Sequence, residues 1–223
     1  MDKKLFLQAL CKFSAGLIMV GVLVFLPAGT LHYWNGWLLM AAVFAPMPLL
    51  GGILLWKSPE LLRKRLNTKE QEDTQKQVVA LSALMFLAGF VAAGVSFRFD
   101  WLMLPRWVSS LAAILYLLSY VLYGWVLREN AYLSRTVELQ EGQRVIDTGP
   151  YAIVRHPMYA ATVLLFFSMP LMLGSIAAAA IFLVYFPIIG KRIQNEEAVL
   201  TKGLPEYPDY CQRVKCRLLP FIW

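Results

Sequence analysis

Two clusters of charged and aromatic residues in the last third of the chain contain the residue types that bind charged small molecules. The first is GPYAIVRHPMY, residues 149–159, and the second is RIQNEE, residues 192–197. Proline favours the first position of a helix and pushes the residue before it out of the helical region, so a helix is predicted to begin at Pro157 with His156 near its N-cap. Arg155 and His156 would then lie at the positive end of a helix, where unpaired backbone N–H groups also favour an anion.

The apolar run 158–190 separates the two clusters and determines where they meet. It is interrupted by Pro170 and Gly174. As one straight helix at roughly 1.5 Å per residue it would span about 50 Å, whereas the hydrocarbon layer of a membrane is roughly 30 Å thick. We therefore predict a helical hairpin with arms of about 16 residues each, or roughly 24 Å. Arms of this length are short for a full crossing, so they must tilt, extend beyond the apolar run or lie beside locally thinned lipid. Because the arms are antiparallel, both clusters converge on one spot at the cytoplasmic interface, where Arg192 and Glu196 share a helix face.

The composition predicts an integral membrane protein. Of the 223 residues, 59% are hydrophobic and only 16% are charged, whereas soluble domains are about 25% charged. Four apolar stretches besides the hairpin are predicted to cross the membrane: 13–31, 34–56, 78–97 and 107–127. Pro46 and Pro48 predict a kink in the second stretch. The expected fold is all-α, a polytopic membrane helical bundle with four transmembrane helices, a C-terminal helical hairpin and a cytoplasmic tail.

The distribution of basic residues predicts the orientation in the membrane. The net charge is +7, from 21 lysines and arginines against 14 acidic residues. Suppose that the N-terminus, the polar loops 57–77 and 128–157 and the tail lie on one side of the membrane. Of the lysines and arginines, only Arg98 and Arg106 then lie on the other side. The positive-inside rule then makes both termini cytoplasmic, in the cell membrane of a prokaryote or the endoplasmic reticulum of a eukaryote. The rule also accounts for the basic charge, so no nucleic-acid partner is expected.

These patterns divide the chain into two predicted regions. Residues 1–127 form a four-helix transmembrane region whose cytoplasmic loop, 57–77, contains a short interfacial helix. Residues 128–223 form the catalytic region, which consists of a linker, the helical hairpin 158–190 and the cytoplasmic tail. The oligomeric state is left open.

The motifs of soluble cofactor-binding folds are absent from the sequence. It contains no G-x-G-x-x-G, no G-x-x-x-x-G-K-[ST] and no G-x-S-x-G. The two histidines, His32 and His156, are predicted on opposite sides of the membrane, so no histidine-built metal site is expected. Three scattered cysteines do not indicate a disulfide framework.

The motifs of the C-terminal region resemble those of the isoprenylcysteine carboxyl methyltransferase family. The matching residues are Gly149-Pro150-Tyr151, Arg155-His156-Pro157-x-Tyr159, Arg192-x-x-x-Glu196-Glu197, and a tail with Tyr207, Tyr210, Arg213 and Leu218-Leu219-Pro220. Similar residues are also found at Asn130, Val137 and Gln143-x-Val145. The order and spacing of these motifs are specific, whereas the first two helices match the family only in kind.

The resemblance implies an integral membrane methyltransferase that uses S-adenosylmethionine (SAM) and acts on a lipophilic acceptor entering from the bilayer. It implies carboxyl methylation of a prenylated cysteine or a similar group. The cofactor-binding residues carried over from the family motifs are Tyr151, Arg155, His156, Tyr159, Glu196 and Glu197.

The residue types agree with these implied roles. Arg155, His156 and the helix start would hold the SAM carboxylate, and Glu196 or Glu197 would accept from its ribose hydroxyls or its amino group. Arg192 and Glu196 are the expected catalytic residues, Arg192 holding the acceptor carboxylate and Glu196 orienting Arg192.

Other functions remain open from the sequence. A phospholipid amine or a thiol is an alternative acceptor, and an amine would require a base such as Glu197 to remove a proton. A more distant alternative is an NADPH-dependent membrane reductase, because some sterol reductases resemble this C-terminal region. A non-enzymatic membrane adaptor would tolerate alanine at Arg155, His156, Arg192 and Glu196 without losing ligand binding.

Overall fold

The chain folds into a bundle of helices joined by short loops. The computed structural model describes residues 3–66, 73–133, 139–220 and 223. The helices are α1 (Lys3–Ala28), α2 (Trp34–Phe44), α3 (Pro46–Lys57), α4 (Pro59–Leu66), α5 (Asp73–Arg98), α6 (Arg106–Glu129), α7 (Pro157–Met172), α8 (Ile176–Phe182), α9 (Tyr185–Gly203) and α10 (Tyr207–Arg213), with a short 3-10 helix at Gly149–Ala152. The described residues contain no β-strand, only an isolated bridge between Met103 and Ser175. The predicted all-helical fold is confirmed.

Five helical segments are long and apolar enough to cross a membrane. They are α1, the α2–α3 pair, residues 76–98 of α5, α6, and the α8–α9 pair. Helix α7 is apolar but has only 16 residues. The protein is therefore an integral, multi-pass membrane protein, as predicted, but the helix count differs. The return arm of the hairpin is long enough to cross the membrane in its own right, because it extends beyond the apolar run, which is one of the ways in which the short arms were expected to cross.

The N-terminal helices follow the predicted order with two differences in their bounds. Helix α1 begins at Lys3 rather than at residue 13, because lysine stems are apolar and their amines can reach the interface from a helix end. The second apolar stretch is interrupted near its prolines, since α2 ends at Phe44 and α3 begins at Pro46, where proline cannot donate a helical hydrogen bond. The kink expected there stays a prediction. The predicted interfacial helix in the loop 57–77 is α4, while residues 67–72 lie outside the described part of the chain.

The hairpin begins as predicted, but its return arm is longer. Helix α7 starts at Pro157 with His156 as its N-cap residue. The return arm, α8 and α9, continues to Gly203 rather than ending at residue 190. The charged residues after residue 190 therefore belong to α9, and the tail begins after Gly203. A helix can carry such residues because one face of α9 stays buried through Ile193, which is fully buried.

The turn of the hairpin is anchored inside the bundle by hydrogen bonds. Asn35 donates from its side-chain amide to Ser109 Oγ at 2.7 Å and to the Met172 carbonyl at 2.9 Å. The Tyr33 hydroxyl donates to the Leu173 carbonyl. Gly174, with φ at +70°, turns the chain in the left-handed region that favours glycine. These contacts fix the position of the short arm α7 in the bundle, and so the position of its N-terminal end.

Small residues bring α5 close to two other elements. A Cβ on Gly89 would lie 2.3 Å from the ring of Phe182 in α8, and a Cβ on Gly94 would lie 2.7 Å from the Val24 carbonyl of α1. Small residues allow such close approach of helices within a membrane. Helix α5 thereby connects α1 to the return arm of the hairpin.

Candidate active site

The two clusters recognised in the sequence meet at one cavity, at the end of the hairpin where α7 begins and α9 carries its charged residues. Its volume is about 640 Å³. Five of the six residues predicted to bind the cofactor line the cavity: Tyr151, Arg155, His156, Tyr159 and Glu196. The predicted catalytic residue Arg192 lines it as well. The antiparallel arms of the hairpin bring these residues together from positions far apart in the chain.

The segment before α7 is joined to the tail by its backbone. The Arg155 amide donates to the Cys216 carbonyl and the His156 amide donates to the Arg217 carbonyl, both at 2.9 Å. These two bonds hold the tail beside the N-terminus of α7. The tail therefore forms part of the wall around the candidate site.

Glu197 is the centre of an ion cluster between α9, the start of α7 and the tail. Its Oε1 lies 2.9 Å from Arg155 Nε and 3.2 Å from His156 Nε2, and its Oε2 lies 2.9 Å from Arg217 Nε. The Arg155 and Glu197 side chains are only 9% and 12% exposed, so the cluster is shielded from solvent. Glu197 does not line the cavity. Its carboxylate lies behind the cavity wall, where it contacts Arg155, His156 and Arg217.

Arg155 is engaged by the protein on several sides. Besides its bond to Glu197, it donates from Nη1 to the carbonyls of Cys211 at 3.4 Å, Val214 at 3.1 Å and Lys215 at 3.4 Å. Direct binding of a ligand by Arg155 or Glu197 stays a prediction. The contacts seen for this pair support a role in holding the tail against α7.

Tyr159 links Arg192 to Glu196 at the cavity surface. The Tyr159 hydroxyl donates to Glu196 Oε2 and accepts from Arg192 Nε at 3.1 Å. The Arg192 guanidinium lies 5.9 Å from the centre of the Tyr159 ring, and the His156 ring stacks on the same tyrosine at 5.7 Å. Arg192 and Glu196 therefore lie on one face of α9, as predicted, and Tyr159 from the opposite arm of the hairpin is bonded to both.

Tyr151 forms a buried aromatic wall next to this network. Its hydroxyl accepts from Asn130 Nδ2 at 3.0 Å, and its carbonyl accepts from the Tyr210 hydroxyl at 2.7 Å. Burial raises the pKa of Tyr151 above its ordinary value, so the phenol stays neutral. Asn130 and Tyr210, two of the residues that carry the family resemblance, therefore fix the position of a third. Val137 lies outside the described residues.

The cavity also has a long apolar arm that the sequence patterns did not indicate. It runs between α1, α2, α5 and α7 and is lined by Val20, Leu23, Leu39, Phe86, Phe90 and Met169, among others. Arg65 of α4, interpreted from sequence as a marker of the cytoplasmic side, lines the cavity as well. Helix periodicity identifies an apolar helix face but not whether a cavity or a neighbouring helix covers it. This explains why these residues were missed.

Metal-binding side chains are not grouped in the described part of the chain. No three His, Cys, Asp or Glu residues there lie close enough together to hold a metal ion. The described charges of the site are those of the arginines, Glu196 and Glu197.

One relative in the comparisons is the nickel-cobalt-cadmium resistance protein NccN of Alcaligenes xylosoxydans xylosoxydans. The two chains are 31% identical over 75 residues, which make up 33% of this chain and 35% of that protein. The chain thus matches only about a third of this relative's length.

The family comparison covers the part of the chain that builds the polar end of the cavity. The model of the isoprenylcysteine carboxyl methyltransferase (ICMT) family matches residues 111–202. This range includes the Arg155-His156-Pro157-x-Tyr159 motif and the Arg192-x-x-x-Glu196-Glu197 motif. The resemblance to the isoprenylcysteine carboxyl methyltransferase family that the motifs predicted is therefore confirmed over residues 111–202.

Proposed function

We propose that this protein is a SAM-dependent methyltransferase of the membrane that acts on a lipophilic acceptor, most simply on the carboxylate of a prenylated cysteine or a similar group. The family domain supports a membrane methyltransferase in general. The observation that carries the finer proposal is the lining of the cavity, which combines charged residues with many apolar residues from α1, α2, α5 and α7. A polar methyl donor and the head group of the acceptor fit the first set, and a lipid chain fits the second.

The residues at the charged end fit SAM as a ligand. The Glu196 carboxylate suits the ammonium group or the ribose hydroxyls, and the rings of Tyr151 and Tyr159 suit the adenosine. Tyr207 also lines the cavity, and its buried side chain lies beside Cys211 of the tail.

The protein's contribution to the reaction is alignment. When bound, SAM supplies an electrophilic methyl group on a sulfonium. A carboxylate acceptor is already ionised near pH 7, so no general base is required. The chain of bonds from Arg192 through Tyr159 to Glu196 would keep the Arg192 guanidinium oriented toward the acceptor, and a group held in line with the donor reacts far faster than a free one.

The geometry favours a carboxylate over an amine as the acceptor. An amine must lose a proton, and Glu197 was the candidate base for that step. In the structure Glu197 contacts Arg155, His156 and Arg217 and lies outside the cavity lining. A phospholipid amine would therefore depend on Glu196, which is already bonded to Tyr159.

Titration with SAM and with NADPH on the detergent-purified protein tests the proposal. We expect heat from SAM binding and none from NADPH; the opposite result would favour a membrane reductase. Transfer of a labelled methyl group to acetyl-farnesylcysteine, a phospholipid and a thiol then identifies the acceptor. Base-labile label on the first compound is expected, because a methyl ester is hydrolysed by base, and label on the lipid or thiol alone would exclude carboxyl methylation.

A larger side chain in the apolar arm should weaken binding of the acceptor and leave binding of SAM unchanged. Val20 of α1 lines the arm, whereas Val22 of the same helix is 51% exposed and does not line it. Val20→Phe is expected to raise KM for acetyl-farnesylcysteine about tenfold, as overpacking of a filled site does, with SAM affinity unchanged. Val22→Phe is the matched control. Equal KM values for the two variants would show that the farnesyl chain does not use this arm.

A further inference from the structure

The imidazole of His156 is held by a carboxylate that does not itself line the cavity. Nε2 of the ring lies 3.2 Å from Glu197 Oε1, and the residue is only 4% exposed. His156 is the N-cap residue of α7, but its side chain makes no capping hydrogen bond. Among the described residues, Glu197 is thus the hydrogen-bond partner of the ring. Because His156 lines the cavity and Glu197 does not, the ring lies between this carboxylate and the cavity.

The contacts of Glu197 determine which ring nitrogen carries the proton. Its carboxylate lies 2.9 Å from Arg155 Nε and 2.9 Å from Arg217 Nε, and two guanidinium groups favour the ionised form. An ionised carboxylate can only accept hydrogen bonds, so His156 Nε2 donates. In a neutral imidazole one nitrogen is the donor and the other is the acceptor. The basic lone pair of the neutral ring is therefore on Nδ1.

His156 shares Tyr159 with the residue proposed to hold the acceptor. The His156 and Tyr159 rings stack with their centres 5.7 Å apart. The Tyr159 hydroxyl accepts from Arg192 Nε at 3.1 Å and donates to Glu196. All four residues line the cavity. The basic ring is therefore separated by one tyrosine from the guanidinium proposed to hold the head group of an acceptor.

Carboxyl methylation has no use for this base, because a carboxylate is already ionised near pH 7. A thiol is different, since the thiolate is its reactive form and a free thiol with a pKa of about 8.5 is mostly protonated at pH 7. An alkylammonium, with a pKa of about 10.4, holds its proton more tightly than a thiol does. Of the three acceptor classes open from the sequence, a thiol is the one that a histidine base serves best.

We propose that the same cavity has a second activity, the S-methylation of a thiol that carries an apolar chain, with His156 as the general base. The proposal rests on the proposed function for its methyl donor, SAM. The S–H proton passes to His156 Nδ1, the sulfur lone pair forms a bond to the methyl carbon, and the bond from that carbon to the sulfonium breaks. The products are a methyl thioether, S-adenosylhomocysteine and a protonated His156, which returns its proton to water. Glu197 is a positioning residue, since it holds the ring and stabilises the imidazolium.

Comparison of an alkyl thiol with a more acidic thiol tests the base. Farnesyl thiol must lose a proton, whereas an alkyl-substituted thiophenol is a much stronger acid and is largely ionised near neutral pH. Transfer of a labelled methyl group to each is measured in single turnovers on the full chain in detergent. His156→Gln keeps a donor for Glu197 but has no basic nitrogen. It is expected to lower the rate on farnesyl thiol, relative to the rate on the thiophenol, about 100-fold or more, as loss of a general base does.

The ratio of the two rates isolates the proton transfer. A change in SAM affinity would affect both thiols equally and leave the ratio unchanged. Imidazole added to His156→Ala should restore methylation of farnesyl thiol without changing the rate on the thiophenol. His32→Gln is the matched control, because His32 is exposed and does not line the cavity, and it should leave both rates unchanged.

The outcomes separate this proposal from the proposed function. An equal loss on both thiols in His156→Gln, or no effect of imidazole on His156→Ala, overturns the role of His156 as a base. Label on acetyl-farnesylcysteine but on neither thiol overturns the second activity and keeps the proposed function. Label on the thiols but not on acetyl-farnesylcysteine supports the second activity and refutes the carboxylate as the acceptor.

Discussion

Replacing Arg192 by glutamine is expected to lower turnover about 100-fold or more while SAM affinity stays within a few-fold of its original value. The guanidinium lines the cavity and is held by Tyr159, which also contacts Glu196. Glutamine removes the positive charge that would orient the acceptor carboxylate. The loss of one preorganised electrostatic contact at a reacting centre typically costs about 100- to 1,000-fold in rate.

Single-turnover kinetics with acetyl-farnesylcysteine and calorimetry with SAM, run on the same preparation, measure the two effects separately. Lys191→Gln is the matched control, because it removes a neighbouring positive charge that is exposed and does not line the cavity. If Arg192→Gln reduced turnover and SAM affinity by the same factor, Arg192 would be a donor-binding residue and the assignment to the acceptor would be wrong.

The convergence of the two clusters was predictable because it depends on the length of the apolar run 158–190 and on the residues that favour a turn within it. The apolar run is too long for one crossing, and Gly174 and Pro157 mark its turn and its start. The end of the return arm was not predictable in the same way. Hydropathy stops at the first charged residues, but α9 continues because its buried face extends to Ile193. A window average does not detect a helix that is apolar on one side only.

The different positions of Glu196 and Glu197 could not be read from the sequence. Adjacent residues on a helix point in directions about 100° apart, so one carboxylate of the pair faces the cavity and the other faces the tail. Which of the two carboxylates faces the tail depends on how residues 211–217 pack against the start of α7. This is a contact between segments far apart in the chain. Arg65 presents the same problem, since its flanking sequence is typical of any basic interfacial helix.

Replacing Glu197 by alanine is expected to cause the largest loss of stability in this region. The substitution leaves Arg155 and His156 largely buried without their carboxylate partner and also frees Arg217. Removing one partner from a buried ion cluster typically costs about 3–5 kcal/mol. For a chain of this size we expect Tm to fall by roughly 10 °C in a thermal melt without ligand. Release of the tail should also expose residues 211–217 to proteolysis.

Two variants distinguish this supporting role from direct contact with SAM. Glu206→Ala removes an exposed carboxylate near the start of the tail and should leave both Tm and proteolysis unchanged. Glu197→Gln keeps the shape and one acceptor oxygen, so it should lose less stability than alanine while still losing the charge. If Glu197→Ala melted at the original temperature and kept its tail protected but no longer bound SAM, the carboxylate would act on the ligand itself. Because Glu197 lies behind the cavity wall, we expect the reverse order, in which the tail loosens first and SAM affinity falls as a consequence.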